Sequence, residues 1–217
     1  FRVDHNATKM VFRGHIAGRD IIVRGTIRDR QNRILAESIT GRDRKIRRKY
    51  DLTKATFPFV GINHDAFGKH FMEKALDPYL LGEKGGTGQK GDIPLSGIWR
   101  GADVILTLDA VLQQNLYNLM EEKGYQGAVV ILAAKSGEFL AGVSRLAIDG
   151  SKLSNESWRN IEKNDPHNLL QNRCFSKLYF PGSIFKIVVA SAWLESDKRR
   201  DDFMIRCTGH IPDQHKI

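Results

Sequence analysis

Cysteine is scarce in this chain of 217 residues. The two present, Cys174 and Cys207, exclude a disulfide framework and a cysteine-rich zinc module. Long apolar runs are lacking too, so no stretch reads as a membrane-spanning helix. Proline numbers only 6, and neither a repeat nor a low-complexity tract is visible. The seven histidines show no His-x-x-x-His spacing and read as surface or core residues rather than metal ligands. The chain opens at Phe1 with nothing like a signal peptide, which leads us to expect a processed chain or a fragment. What is abundant is ordinary: 41% hydrophobic and 27% charged residues, a globular composition that argues against disorder and fibres.

Charge is the first unusual feature. The formal net charge is +9, with an isoelectric point near 9.6. Residues 24–49 hold eight arginines and two lysines (Lys45, Lys49) against Asp29, Glu37 and Asp43, so this segment nets +7. Such a segment seeks an anionic neighbour: nucleic acid, a membrane surface or an anionic polymer. No helix-turn-helix, zinc or RNA-binding motif accompanies it, and aromatics are not interleaved with the arginines, so nucleic acid is not the expected partner.

Pattern divides the chain near Gly101. Before it, residues 20–24 and 33–36 read as short strands around a turn at 29–32. Phe71, Ala75 and Leu76 suggest one helical face, and glycine-rich residues 82–97 suggest a linker. After it, residues 103–107 read as a strand. Asp109 caps an expected helix over 110–123, ended by Gly124, with Leu112, Leu116, Leu119 and Met120 on its apolar face. Residues 127–134 and 138–144 make a hairpin around Lys135-Ser-Gly137. Residues 151–166 read as polar loop, 169–177 as helix, and 184–195 as a helix apolar all round. Trp99, Trp158 and Trp193 read as packing residues.

Ser183 and Lys186 form a Ser-x-x-Lys pair just after Pro181-Gly182. One such match arises by chance in a chain of this composition, so the context must carry the claim. Ser183 falls at a helix start, where free N–H groups and the positive dipole end favour developing negative charge. Positions i and i+3 share a helix face, and the neighbours of Lys186 on that face, Val189, Ala190 and Trp193, are apolar. A lysine desolvated there has a depressed pKa and can act as a base toward a serine nucleophile. The bland alternative is a lysine snorkelling from a core helix, with the serine as a simple cap.

At these residues the sequence resembles the penicillin-binding proteins. Phe180-Pro-Gly-Ser-Ile-Phe-Lys-Ile187 is similar to that family's active-site segment, with Asn172-Arg173 where an Asn-Arg pair commonly precedes it. Asp103-Val-Ile-Leu-Thr-Leu-Asp109, Gly127-Ala-Val-Val-Ile131 and Ser136-Gly-Glu-Phe-Leu-Ala141 resemble the opening of its catalytic domain. Arg24-Gly-Thr-Ile-Arg-Asp-Arg30, Arg33-Ile-Leu-Ala36, Arg48-Lys-Tyr50 and Val60-Gly61 resemble the pedestal of its monofunctional, class B members. The resemblance implies an α/β fold of α+β type: a basic, β-rich pedestal over 1–100, then over 101–217 the first part of a transpeptidase domain, helices packed on an antiparallel sheet. It also implies a peptidoglycan D,D-transpeptidase. Ser183 would be the nucleophile and lend its N–H to the oxyanion hole, and Lys186 would be the general base. The implied partners are D-Ala-D-Ala stem peptides, β-lactams, an anionic membrane surface at Arg24–Lys49 and other cell-wall synthesis proteins. No cofactor or metal is implied. The implied location is extracytoplasmic, on the periplasmic side of the inner membrane, anchored by an upstream transmembrane helix.

Two departures matter. The family's Ser-x-Asn and Lys-(Thr/Ser)-Gly motifs follow the nucleophile, and neither follows Lys186 here. Lys135-Ser-Gly137 matches the second in letters but precedes the serine and reads as a turn. Cys207-Thr-Gly209 likewise reads as structural. The expectation is therefore the N-terminal portion of a longer protein, a poor transpeptidase by itself. A penicillin-recognising hydrolase or sensor is the first competitor, and the pedestal segment argues against it. A non-catalytic scaffold that binds divisome or elongation proteins is the second.

Overall fold

Short strands dominate the described residues of the first hundred because β-branched and arginine-rich stretches are cut every few positions by glycine, asparagine or aspartate. The computed structural model describes residues 2–3, 21–51, 53–83 and 98–196. The chain divides into two units, Phe1–Lys177 and Leu178–Ile217. Of the sequence expectations, the linker from 84 onward, Cys207 with its Thr-Gly, and the side chain of Trp99 lie outside the described residues.

In the first unit, β1 (Arg2–Val3), β2 (Ile21–Val23), β3 (Ile27–Arg28), β4 (Ile34–Thr40) and β5 (Ile46–Tyr50) come first. Next are α1 (Phe57–Val60), β6 (Asn63–His64), β7 (Gly68–Lys69), α2 (Phe71–Ala75) and α3 (Asp77–Leu80). β8 (Ile98–Arg100) and β9 (Val104–Ile105) lead to α4 (Ala110–Glu122), then β10 (Gly127–Leu132), β11 (Phe139–Arg145) and α5 (Asn155–Lys163). The main sheet has the order β1-β9-β3-β4-β5. Only its β3–β9 contact is parallel, so strands from both sides of residue 101 share one sheet. The strand at 20–24 is present, but it does not join the expected hairpin. β3 pairs with β4 instead, and β2 runs parallel to β8.

Glycine explains that rearrangement. Gly25 donates its N–H to Leu80 O at 3.0 Å, and a Cβ on it would sit 1.8 Å from Ala102 O. Gly101 donates to Val23 O at 2.8 Å, and a Cβ there would sit 1.6 Å from Leu80 O. Three backbone segments cross at van der Waals limit, which only glycine permits. Asp29, fully buried, then sets the turn after β3. Its Oδ1 accepts from Gln31 N and Arg33 N at 2.9 and 2.8 Å, while Oδ2 accepts from Ala110 N at the start of α4. Asp103 Oδ1 accepts from Thr26 N at 2.6 Å. The acidic residues of the signature segments thus tie β3, β9 and α4 together.

The core lies between this sheet and the helices, built on Ile27, Leu35, Phe57, Leu80, Val104 and Trp158. Asp109 caps α4 as expected, accepting from Val111 N and Leu112 N, and Gly124 follows with φ of 65°. The buried face differs from expectation. It holds Gln113, Tyr117 and Met120, with Leu116 packed against it, while Leu119 is half exposed. The Gln113 amide explains the rotation: Nε2 donates to Ala55 O and Gly142 O, and Oε1 accepts from Gly142 N, each at 2.7 Å. Two of these bonds fix α4 onto β11 and the third ties it to the segment before α1, a geometry that leucine positions alone do not report.

Two further expectations are corrected. Residues 151–166 are not simply loop, because α5 starts there from a capping box between Ser154 and Ser157. Residues 169–177 form turns rather than a helix. Asn172 Oδ1 accepts from Cys174 N at 2.9 Å, closing a local turn in place of a helical bond. In the second unit, a single 3₁₀ turn (Gly182–Ile184) runs into α6 (Phe185–Ser196).

Candidate active site

Ser183 sits in the 3₁₀ turn that opens α6. Pro181 supplies φ of −70° and ψ of −24°, and Gly182 takes φ of 54°, a left-handed value that glycine adopts without strain. Ile184 N–H donates to Pro181 O at 3.3 Å, closing the turn. Lys186 follows in the first turn of α6, three residues on and so on the same face as the serine. The two side chains make no hydrogen bond to one another. Ser191 Oγ and Ser196 Oγ are turned back onto the helix, donating to Ile187 O and Trp193 O.

The burial expected for α6 is not seen. No side chain of the helix is buried, and Ile184, Phe185, Ile187, Val188, Val189 and Leu194 are all at least half exposed. The sequence pattern was apolar all round as expected, but the nineteen residues described in this unit supply no second layer to cover it. Lys186 is accordingly exposed rather than desolvated.

The Asn172-Arg173 pair, at the end of the first unit, is a buried tether. Asn172 Nδ2 donates to Pro58 O at 2.6 Å. Arg173 N accepts no bond but donates to Ser144 Oγ at 3.0 Å, and its guanidinium donates to Leu146 O and His167 O. Together they staple the turns that follow α5 to β11 and α1. Cys174, next in line, is a free, half-buried thiol whose Sγ donates to Val143 O at 3.3 Å. Burial pushes it up to about 11, so it stays a thiol and is no rival nucleophile. An apolar cavity of about 210 Å³ lies nearby, lined chiefly by Phe59, Met72, Phe139 and Phe175. It brings no titratable group to bear. Lys135-Ser-Gly137 lies in the β10–β11 turn as expected, with Gly137 N–H donating to Ala133 O.

The basic segment is resolved differently from its sequence. Glu73 is fully buried, with Arg24 Nη2 at 2.7 Å on one oxygen and Arg48 Nε at 2.7 Å on the other. Asp77 takes Arg24 Nη1 at 2.5 Å and Lys69 Nζ at 2.7 Å. Arg30, Arg33, Arg47 and Lys49 pair with Glu138, Asp29, Asp43 and Glu37. Arg28, which donates to Asn32 O, and Arg42, Arg44 and Lys45, in the exposed β4–β5 turn, have no ion-pair partner among the described residues. Local sequence charge missed this because the acidic partners Glu73 and Asp77 lie in α2 and α3. Among the described residues, no group of three His, Cys, Asp or Glu could hold a metal, and no helix is long and apolar enough to cross a membrane.

The described site is thus a serine at a helix start with a lysine one turn later, following in sequence a helix packed on an antiparallel hairpin. Residues 127–216 match the family model of the penicillin binding protein transpeptidase domain. Among curated proteins, the chain is 29% identical over 180 residues to the peptidoglycan D,D-transpeptidase PbpA of Mycolicibacterium smegmatis, covering 76% of this chain and 36% of that protein. It is 30% identical over 175 residues to PbpA of Mycobacterium tuberculosis, covering 74% and 35%. Among solved structures, penicillin-binding protein A from M. tuberculosis as its imipenem acyl-enzyme complex superposes with a TM-score of 0.67 at 29% identity, over 80% of this chain and 42% of that one. The D,D-transpeptidase domain of a peptidoglycan glycosyltransferase from Eggerthella lenta gives 0.65 at 28% identity, over 82% and 38%. Residues 127–216 are thus similar to the transpeptidase domain of penicillin-binding proteins, the architecture is α+β like that of these neighbours, and the chain spans about a third of the length of the curated relatives it matches.

Proposed function

We propose that this chain carries the nucleophile of a peptidoglycan D,D-transpeptidase, with residues 1–100 as pedestal and 101–217 as the first part of the catalytic domain. The observation that carries the reading is the Pro181-Gly182-Ser183 turn delivering Ser183 to the start of an apolar helix with Lys186 one turn on. In the proposed reaction Ser183 Oγ attacks the carbonyl between the two D-alanines of a stem peptide. The Oγ–C bond forms, the C–N bond breaks, and the serine proton passes through Lys186 to the departing D-alanine amine. An amine from a neighbouring strand then displaces Oγ and forms the cross-link. The backbone N–H of Ser183 faces the developing oxyanion. β-Lactams acylate the same oxygen.

Lys186 serves as base only when desolvated, and here it is exposed. The segment bearing Ser-x-Asn and Lys-(Thr/Ser)-Gly motifs is what covers α6 in this reading, so the 217 residues alone are a poor transpeptidase. The reading places the protein on the outer side of the membrane, anchored by an upstream helix.

Fluorescent penicillin labelling compared across the parent, Ser183→Ala and Lys186→Met chains tests the site. Loss of all label in Ser183→Ala and slowed labelling in Lys186→Met are expected; label that survives Ser183→Ala sinks the assignment. The exposed α6 favours one second reading, a scaffold that holds cell-wall synthesis proteins through the pedestal. Absence of any labelling even with a covering segment supplied supports that reading.

A further inference from the structure

The main sheet ends at β5, whose outer edge pairs with no further strand among the described residues. The ladder with β4 says which backbone groups face that edge. Gly41 N–H donates to Lys45 O at 2.8 Å and Asp51 N–H to Leu35 O at 3.0 Å, one at each end of the ladder. In an antiparallel pair, bonded positions recur every second residue. Arg47 opposite Ile39 and Lys49 opposite Glu37 are therefore the bonded pairs. Ile46, Arg48 and Tyr50 turn their N–H and C=O groups outward. The exposure of Arg48 agrees: its side chain is only 5% exposed, yet the residue as a whole is half-buried, so what water reaches is main chain.

Charge says what fits this edge. Arg42, Arg44 and Lys45 lie at one end of β5 without ion-pair partners, and Arg47 and Lys49 flank its open groups. An open edge is a template for a further strand. A second copy of β5 would set these cations against their like, which is destabilising. A lipid headgroup or wall polymer can satisfy the cations but has no alternating donors and acceptors to match the edge.

We propose that the β5 edge is a docking site for an extended acidic segment of a partner protein, which adds to the main sheet as a sixth strand. Its main chain pairs with Ile46, Arg48 and Tyr50, and its carboxylates meet Arg42, Arg44 and Lys45. The site is independent of Ser183, so its failure leaves the acyl-enzyme reading untouched.

The test titrates the isotope-labelled 217-residue chain with the capped peptide Glu-Val-Glu-Val-Glu and follows backbone amides and peptide anisotropy. Amide shifts concentrated over residues 44–50 are expected. Methylating the two valine nitrogens removes main-chain donors but no charge, and is expected to weaken binding about tenfold, the scale of a lost hydrogen bond. Ile46→Pro removes an outward N–H that β4 does not use and is expected to weaken binding similarly. If that variant fails to fold, the methylated peptide carries the test alone. Equal affinity for the plain and methylated peptides, displacement by anionic vesicles as effective as by unlabelled peptide, or no binding at millimolar peptide each overturns the proposal.

Discussion

Glu73→Gln removes the charge at the centre of the pedestal while keeping its volume. In the parent, the buried carboxylate accepts from Arg24 Nε at 3.1 Å and Nη2 at 2.7 Å through Oε2, and from Arg48 Nε at 2.7 Å through Oε1. Both guanidinium side chains are under a tenth exposed, and Arg48 Nη2 already lacks a partner. An amide offers one acceptor and points its NH₂ donors at a second donor, so one arginine loses its bond, Arg48 loses its only counter-charge and Arg24 keeps Asp77 alone. Breaking a buried pair by removing one partner costs about 3–5 kcal/mol. Exposed pairs are worth about 0–1 kcal/mol, so Glu37→Gln, which removes the 3.6 Å partner of Lys49, is the control. For a domain of this size each kcal/mol moves Tm by roughly 2–4 °C, so Glu73→Gln lowers Tm by about 6–20 °C while Glu37→Gln moves it by a few degrees at most. Urea titration followed by circular dichroism gives the free energies. A Glu73→Gln cost within 1 kcal/mol of the Glu37→Gln cost would refute the claim that the cluster, rather than the surface charge, anchors this unit.

Three further outcomes follow from the same geometry. Gly25→Ala puts a methyl 1.8 Å from Ala102 O, a backbone atom that cannot swing aside, so the variant is expected to be unfolded or insoluble by circular dichroism. Gln113→Leu leaves Gly142 N–H, Gly142 O and Ala55 O without partners, and at about 1–3 kcal/mol per stranded group it is expected to cost at least about 3 kcal/mol in urea titration. Burial pushes the Asp77 carboxyl up, but hydrogen bonds from Lys69 and Arg24 outweigh it and hold it below its ordinary 3.8. Its folded pKa is depressed, so its stabilisation is present above that ordinary value and fades as pH falls through the folded one. Acid titration of Asp77→Asn is therefore expected to show a shallower acid limb than the parent, and an unchanged limb would count against the pairing.

Much of this architecture was legible in the sequence where one residue settles a local question. Asp109 and Gly124 marked both ends of α4, and the turn at 135–137 marked the hairpin. α5 was missed because only Trp158 and Ile161 are strongly apolar in a polar stretch, although the Ser154–Ser157 box and a Leu153–Trp158 staple were present in the letters. The helix expected over 169–177 fails because the Asn172 side chain bonds α1 and the Arg173 backbone N–H bonds Ser144 Oγ of β11, contacts that span more than a hundred and nearly thirty positions. The +7 segment pointed to a large basic surface, but its strongest charges are neutralised from α2 and α3, which local counting cannot see. For the site, spacing and the Pro-Gly lead-in identified the turn holding Ser183. The apolar surroundings of Lys186 were read correctly as composition and wrongly as burial, because cover is supplied by tertiary layers, not by the helix itself.

Mass spectrometry of peptides from the β-lactam-treated chain tests the central claim most directly. The account predicts that the adduct is substoichiometric and confined to the peptide containing Ser183, and that it disappears in Ser183→Ala. An adduct on any other residue, or stoichiometric acylation of Ser183 with α6 uncovered as it is here, would contradict it.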